Sequence, residues 1–250
     1  MNDIIIISEE RSGSSFLCLL LGQFEEFRIL HEFFFNILQN QNESFDLSIL
    51  KDQDQNLIYN AFQVEQGDQK KLKNIMASDP EFAYHKIHSI FPAPNVIKVH
   101  RENLRVWNLN FLITNNNNFI FLNRSNKLAQ FCSLEIAKKI GVFNSQNTSD
   151  MSIEIDPKEY LQFKHERVKD DEFYLKLLQD QGKNILVLNY ENDIDNSIEI
   201  LEEKVKSWLF ESGYSIKIHP WFSPEKHLLN KQNHSPLKRI IVNYDQVINL

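Results

Sequence analysis

Ile4-Ile5-Ile6-Ile7-Ser8-Glu9-Glu10-Arg11-Ser12-Gly13-Ser14-Ser15-Phe16-Leu17 decides how the chain is read. Four consecutive Ile have the β-branched, uninterrupted apolar character of a strand buried on both faces. The small polar stretch after them reads as a tight loop. Phe16-Leu17-Cys18-Leu19-Leu20-Leu21 then reads as a buried helix. A strand–loop–helix unit of this kind gathers backbone N–H groups at the helix N-terminus, where they favour an anion. A loop for nucleoside triphosphates would read G-x-x-x-x-G-K-[ST], with its Lys on the phosphates. Here Ser8 stands at the first Gly, and Gly13 is followed by Ser14, so Ser replaces Lys. The cation comes earlier, as Arg11. The loop suits a phosphate-like group without standard triphosphate chemistry.

A second unit repeats the design. Phe119-Ile120-Phe121-Leu122-Asn123-Arg124 is an apolar strand ending in a cation, and Ser125 to Ser133 opens a helix. Arg124 can offer a guanidinium fork and Ser133 a hydroxyl donor to one anion. Two such units suggest a ligand with two separated anionic groups.

With both units in place, the chain resembles the sulfotransferases that use 3′-phosphoadenylyl sulfate (PAPS). Arg11-Ser12-Gly13-Ser14-Ser15-Phe16-Leu17 is similar to the family's 5′-phosphosulfate loop in its Arg-containing form. Arg124 through Ser133 resembles the 3′-phosphate motif. The spacing, with Leu128-x-Gln130 ahead of Ser133, looks most like the bacterial carbohydrate branch that sulfates trehalose and Nod-factor sugars. Val187-Leu188-Asn189-Tyr190-Glu191-Asn192-Asp193-Ile194 resembles the family's late strand ending in Tyr-Glu. The likeness runs in islands over roughly residues 3–210, and the stretch at about 36–94 matches no known motif. The resemblance implies a P-loop-like, three-layer α/β/α fold with a central parallel sheet. It implies PAPS as co-substrate, adenosine 3′,5′-bisphosphate (PAP) as product, no metal, and a small-molecule or carbohydrate acceptor.

Composition is compatible with this. At 250 residues the chain suits one α/β domain, with a helical or loop insertion expected at about 36–94. A net charge of −7 gives no global basic field for nucleic acid. No apolar run approaches the ~20 residues of a membrane span. Met1-Asn2-Asp3 leads straight into the first strand without a basic-then-apolar leader, so a cytoplasmic location is expected. The two Cys, Cys18 and Cys132, read as small buried hydrophobes. Among eight His, only His85 and His88 are close, with no ligand-spaced partner, so no metal site is expected. Oligomeric state is not legible.

Strands are expected at about 3–8, 27–31, 95–100, 119–123 and 184–190. Helices are expected at about 14–23, 101–112, 126–140, 158–181, 196–212 and 236–248. This alternation argues for a parallel sheet with ligands beyond the carboxyl ends of its strands. Arg11, Glu32, His100 and Arg124 all fall there.

Sulfuryl transfer needs an aligned sulfonate, a stabilised leaving phosphate and a base for the acceptor hydroxyl. Arg11 is the candidate for the leaving phosphate, with the amides of Ser12, Gly13, Ser14, Ser15 and Phe16 around it. Lys98 is a further cation near the sulfonate. Two residues compete for the base. Glu32 stands where the resemblance puts the carbohydrate branch's catalytic Glu, and His100 resembles the Lys-x-His of cytosolic sulfotransferases. The sequence ranks Glu32 slightly ahead. Lys231, in a basic C-terminal loop, is a candidate to close over the 3′-phosphate. Phe33, Phe34 and Phe35 could line a cleft, although aromatic clusters more often form core. Two other classes stay open: a PAP-binding module without turnover, and a divergent P-loop kinase relative, against which the missing Gly-Lys counts.

Overall fold

The isoleucine run is the middle of the sheet. β1 (Ile4–Ser8) lies between β3 (Asn95–His100) and β4 (Asn118–Asn123), with β2 (Arg28–His31) and β5 (Asn184–Asn189) at the edges. The order is β2-β3-β1-β4-β5 and every pairing is parallel. The computed structural model describes residues 3–38, 52–91, 94–141, 151–220 and 236–250. Along β1, Ile5 and Ile7 enter one hydrophobic core while Ile4 and Ile6 enter another. A strand with a core on each face has no polar side, so it cannot alternate.

Helices cover both faces. On one lie α1 (Ser14–Leu21) and α10 (Ile198–Glu211), packed on Ile4, Ile6 and Leu188. On the other lie α2 (Phe33–Leu38), α3 (Asp52–Ala61), α4 (Gln69–Ser78), α5 (Pro80–Ile90), α6 (Arg101–Val106) and α7 (Asn110–Asn115). The C-terminal part of α9 (Pro157–Asp180) joins them through Tyr174 and Leu178. A third cluster ties α8 (Lys127–Ile140) to the start of α9 and to the short α11 (Leu237–Ile240) and α12 (Tyr244–Val247). The architecture is the α/β fold expected from the sequence. Phe33 and Phe34 are both 2% exposed and meet edge to face at 5.4 Å, so they build core and do not line a cleft. The Phe35 side chain is outside the described residues.

Some elements differ from expectation. The helix expected over 101–112 breaks into α6 and α7 at Asn108, whose φ of 51° is a left-handed turn that Asn tolerates better than most residues. The helix expected over 236–248 becomes two short ones, because Ile241 leaves to bridge with Ile153. The stretch expected as an insertion supplies α3 to α5. The starts of α4 and α5 have ordinary physical causes: Asp68 accepts from Lys71 N at 3.0 Å, and Asp79, followed by Pro80, accepts from Phe82 N at 2.9 Å. No helix among the described residues is long and apolar enough to cross a membrane.

Candidate active site

The loop between β1 and α1 is held in an uncommon backbone shape. Arg11 has a φ of 60° and Gly13 a φ of 86°. Ser12 Oγ donates to the Glu9 carbonyl at 2.6 Å and fixes the turn. The first turn of α1 has no side-chain cap, so its N–H groups remain available to an anion. Gly13 is required twice over. A Cβ there would sit 2.9 Å from Tyr190 Cδ2, and the positive φ strains any other residue. Gly13→Ala should therefore destabilise the fold by about 1–3 kcal/mol, read as a lower Tm.

On the β4 side the loop meets the second unit. Arg11 Nε donates to Ser133 Oγ at 3.0 Å, and Arg124 Nη1 donates to the Arg11 carbonyl at 2.7 Å. Gln130 Nε2 donates to the Glu10 carbonyl at 2.7 Å. Arg124 also lies over the Tyr190 ring at 4.4 Å. Its Nε is 3.4 Å from Glu191 Oε1, and Glu191 accepts from the backbone N–H groups of Ser125 and Asn126 at 2.9 and 3.2 Å. The Tyr-Glu pair after β5 is thus a clamp on the second loop, a role its sequence did not reveal. The two anion loops form one cluster, with Arg11 reaching across to Ser133. Burial and the charge of Arg124 both push the Arg11 guanidinium below its ordinary pKa. Two cations held together in this way favour an anion beside them.

On the β3 side Lys98 is buried and donates to Ser15 Oγ at 3.2 Å while pairing with Glu32. His100 Nε2 lies 3.5 Å from the same Glu32 oxygen. His31, at a φ of 46°, turns the chain after β2 and brings Glu32 to this place. Burial alone would raise the Glu32 pKa, but Lys98 and His100 outweigh it and hold the carboxyl below its usual value. Burial pushes His100 down to about 4, against the pull of Glu32. It is therefore a neutral imidazole at physiological pH.

Beside His100 a cleft of about 300 Å³ opens, lined among others by Glu9, Glu10, Asn103, Trp107 and Arg167. Beneath it runs a buried ion network that sequence reasoning missed. Arg101, fully buried, pairs with Glu9 at 3.3 Å and with Asp171, and its Nη2 donates to the Leu122 carbonyl at 2.8 Å. Arg167 pairs with Glu9, and Lys127 with Asp171 at 2.8 Å. The available signal was an Arg placed directly after the strand-end His100. Arg167 and Asp171 gave none, because on a polar helix they look like solvated charges.

Cys18 and Cys132 are buried, and burial pushes both thiols up to about 12, as expected of packing residues. Lys231 lies outside the described residues.

No protein-family model matches the chain, and no curated protein matches it. Among solved structures, the sulfotransferase domain from the curacin biosynthetic pathway superposes with a TM-score of 0.53. The match covers 95% of this chain and 81% of that domain at 17% identity. A crystal structure of TT1252 from Thermus thermophilus covers 84% of this chain and 97% of its own, at 16% identity, but its TM-score of 0.37 carries no argument. The first likeness establishes a sulfotransferase-like fold, and at that identity it speaks for the fold alone.

Proposed function

We propose that the protein is a sulfotransferase that moves a sulfonate from PAPS to a hydroxyl of a small-molecule or carbohydrate acceptor. The observation that carries this reading is the packing of Arg11 against Arg124 and Ser133 at an uncapped helix N-terminus. Two guanidinium groups and a row of free amides make a seat for a ligand with more than one anionic group. The residues fit PAPS. Arg124 and Ser133 take the 3′-phosphate, the amides of Ser12 to Phe16 take the 5′-phosphosulfate, and Lys98 stands beside them.

The chemistry follows from the chain's own groups. The bond from sulfur to the leaving phosphate oxygen breaks as the bond to the acceptor oxygen forms. Arg11 stabilises the charge that develops on the leaving phosphate. Lys98 turns from Glu32 toward the sulfonate. His100 faces the cleft and takes the acceptor's proton, and Glu32, 3.5 Å away, holds the imidazolium that results. This order supports His100 as the base and Glu32 as its positioning partner, the reverse of the ranking read from sequence. Glu32 is held ionised beside His100, which suits it to steady the imidazolium.

The first experiment is thermal shift with PAP against ATP and Mg²⁺, followed by turnover of labelled PAPS over an acceptor screen. Stabilisation by PAP alone is expected. Stabilisation by ATP and Mg²⁺ alone would overturn the reading, and PAP binding without turnover would leave a binding module. Arg124→Ala should weaken PAP by about 2–3 kcal/mol in calorimetry. Adenosine 5′-phosphosulfate, which lacks the 3′-phosphate, should lose less. Equal loss for both would mean that Arg124 acts only by holding the Arg11 carbonyl.

A further inference from the structure

We propose that the cleft beside His100 selects an acceptor that carries a positive charge close to its reacting hydroxyl. The inference rests on the sulfotransferase reading for the reaction and adds the class of acceptor. Glu10, Glu102, Asn103 and Trp107 line the cleft together with His100. Glu9, also in the lining, pairs with Arg101 and Arg167. Glu10 and Glu102 are different: neither forms an ion pair among the described residues. Solvated carboxylates on an open face would need no explanation, but Glu10 is half-buried. Burial pushes its carboxyl up, and Glu102 and Glu32 add to the rise against the pull of Arg167. A cation in the cleft relieves that cost.

A second observation points to a ligand in the same place. Asn103 is 9% exposed and lines the cleft, yet its side-chain amide makes no hydrogen bond among the described residues. The amide opens into the cleft, where a polar ligand supplies the hydrogen bond that the protein does not. Trp107 adds an aromatic wall, on which an ammonium group gains cation–π attraction. The charge pattern also divides the two substrates. Arg11, Arg124 and Lys98 attract the anionic donor on one side of the loop, and Glu10 and Glu102 repel it from the other.

The test uses the full chain saturated with PAP, titrated calorimetrically with choline and with its uncharged isostere 3,3-dimethylbutan-1-ol. Choline should bind roughly tenfold more tightly. Glu102→Gln, at an exposed position, should reduce that preference, and Glu10→Gln with Glu102→Gln should remove it, while PAP affinity stays unchanged. Glu10→Gln should also raise Tm near neutral pH. The folded-state pKa of Glu10 is raised, so its ionisation costs stability as pH climbs through the carboxylate range, and the gain should vanish in acid below that range. Equal binding of the two probes, binding of neither, or a preference that survives in the double variant overturns the proposal. A choline preference in a protein that fails to bind PAP would sustain the cation seat and overturn the sulfotransferase reading instead.

Discussion

Arg11→Ala should lower kcat by about 10²–10³-fold, with a smaller loss of donor affinity. In the proposed reading Arg11 meets charge that grows as the bond to sulfur breaks, so its loss falls more on the transition state than on binding. The check is single-turnover kinetics with labelled PAPS beside calorimetry with PAP. Near wild-type turnover in the variant would make Arg11 a structural tie between the β1 loop and Ser133. Loss of PAP affinity in step with kcat would make it a ground-state binding residue.

His100→Asn should lower kcat by about 10²–10⁴-fold with PAP binding intact, and Glu32→Gln should cost less. An ordinary imidazole loses its base form as pH falls through about 6.5. Burial pushes His100 down to about 4, so its neutral form persists well into acid. A pH profile therefore cannot separate His100 from Glu32, and the comparison of the two variants must. Stability carries its own signature. A His with a depressed folded-state pKa loses stability as pH falls from its unfolded value toward about 4, so His100→Asn should make the fold less acid-sensitive. A larger loss of kcat in Glu32→Gln than in His100→Asn would restore Glu32 as the base.

The sheet was legible because its strands are unusually plain. Ile4–Ile7 and Phe119–Leu122 are apolar runs that end in polar loops, and Val96–Val99 is apolar but for Lys98; buried parallel strands leave that trace. The candidate residues at those strand ends could be picked out for the same reason: in a parallel sheet the loop after a strand is where ligands meet the chain. The helices between residues 52 and 90 were harder. α3 and α4 read Asp-Gln-Asp-Gln-Asn-Leu-Ile-Tyr-Asn-Ala and Gln-Lys-Lys-Leu-Lys-Asn-Ile-Met-Ala-Ser, with narrow apolar stripes that resemble loop composition. Asp79-Pro80-Glu81 was a usable start signal for α5. The salt-bridge network was not legible at all. Arg101 and Asp171 are 70 positions apart, and only the packing of α9 over the sheet joins them. The reach of Arg11 to Ser133, across 122 positions, is likewise a product of β1 and β4 lying side by side.

The β1 loop touches both halves of the site. Glu9 and Glu10 line the cleft, and the residues from Arg11 onward face the donor cluster. Under the proposed sulfotransferase reading, this favours direct transfer over a double-displacement scheme, in which one substrate departs before the other arrives. Donor and acceptor would then lie on opposite flanks of one short segment, joined through the contacts of Glu32 with Lys98 and His100. The expected result is a sequential rate law with intersecting reciprocal plots, the signature of transfer within a ternary complex.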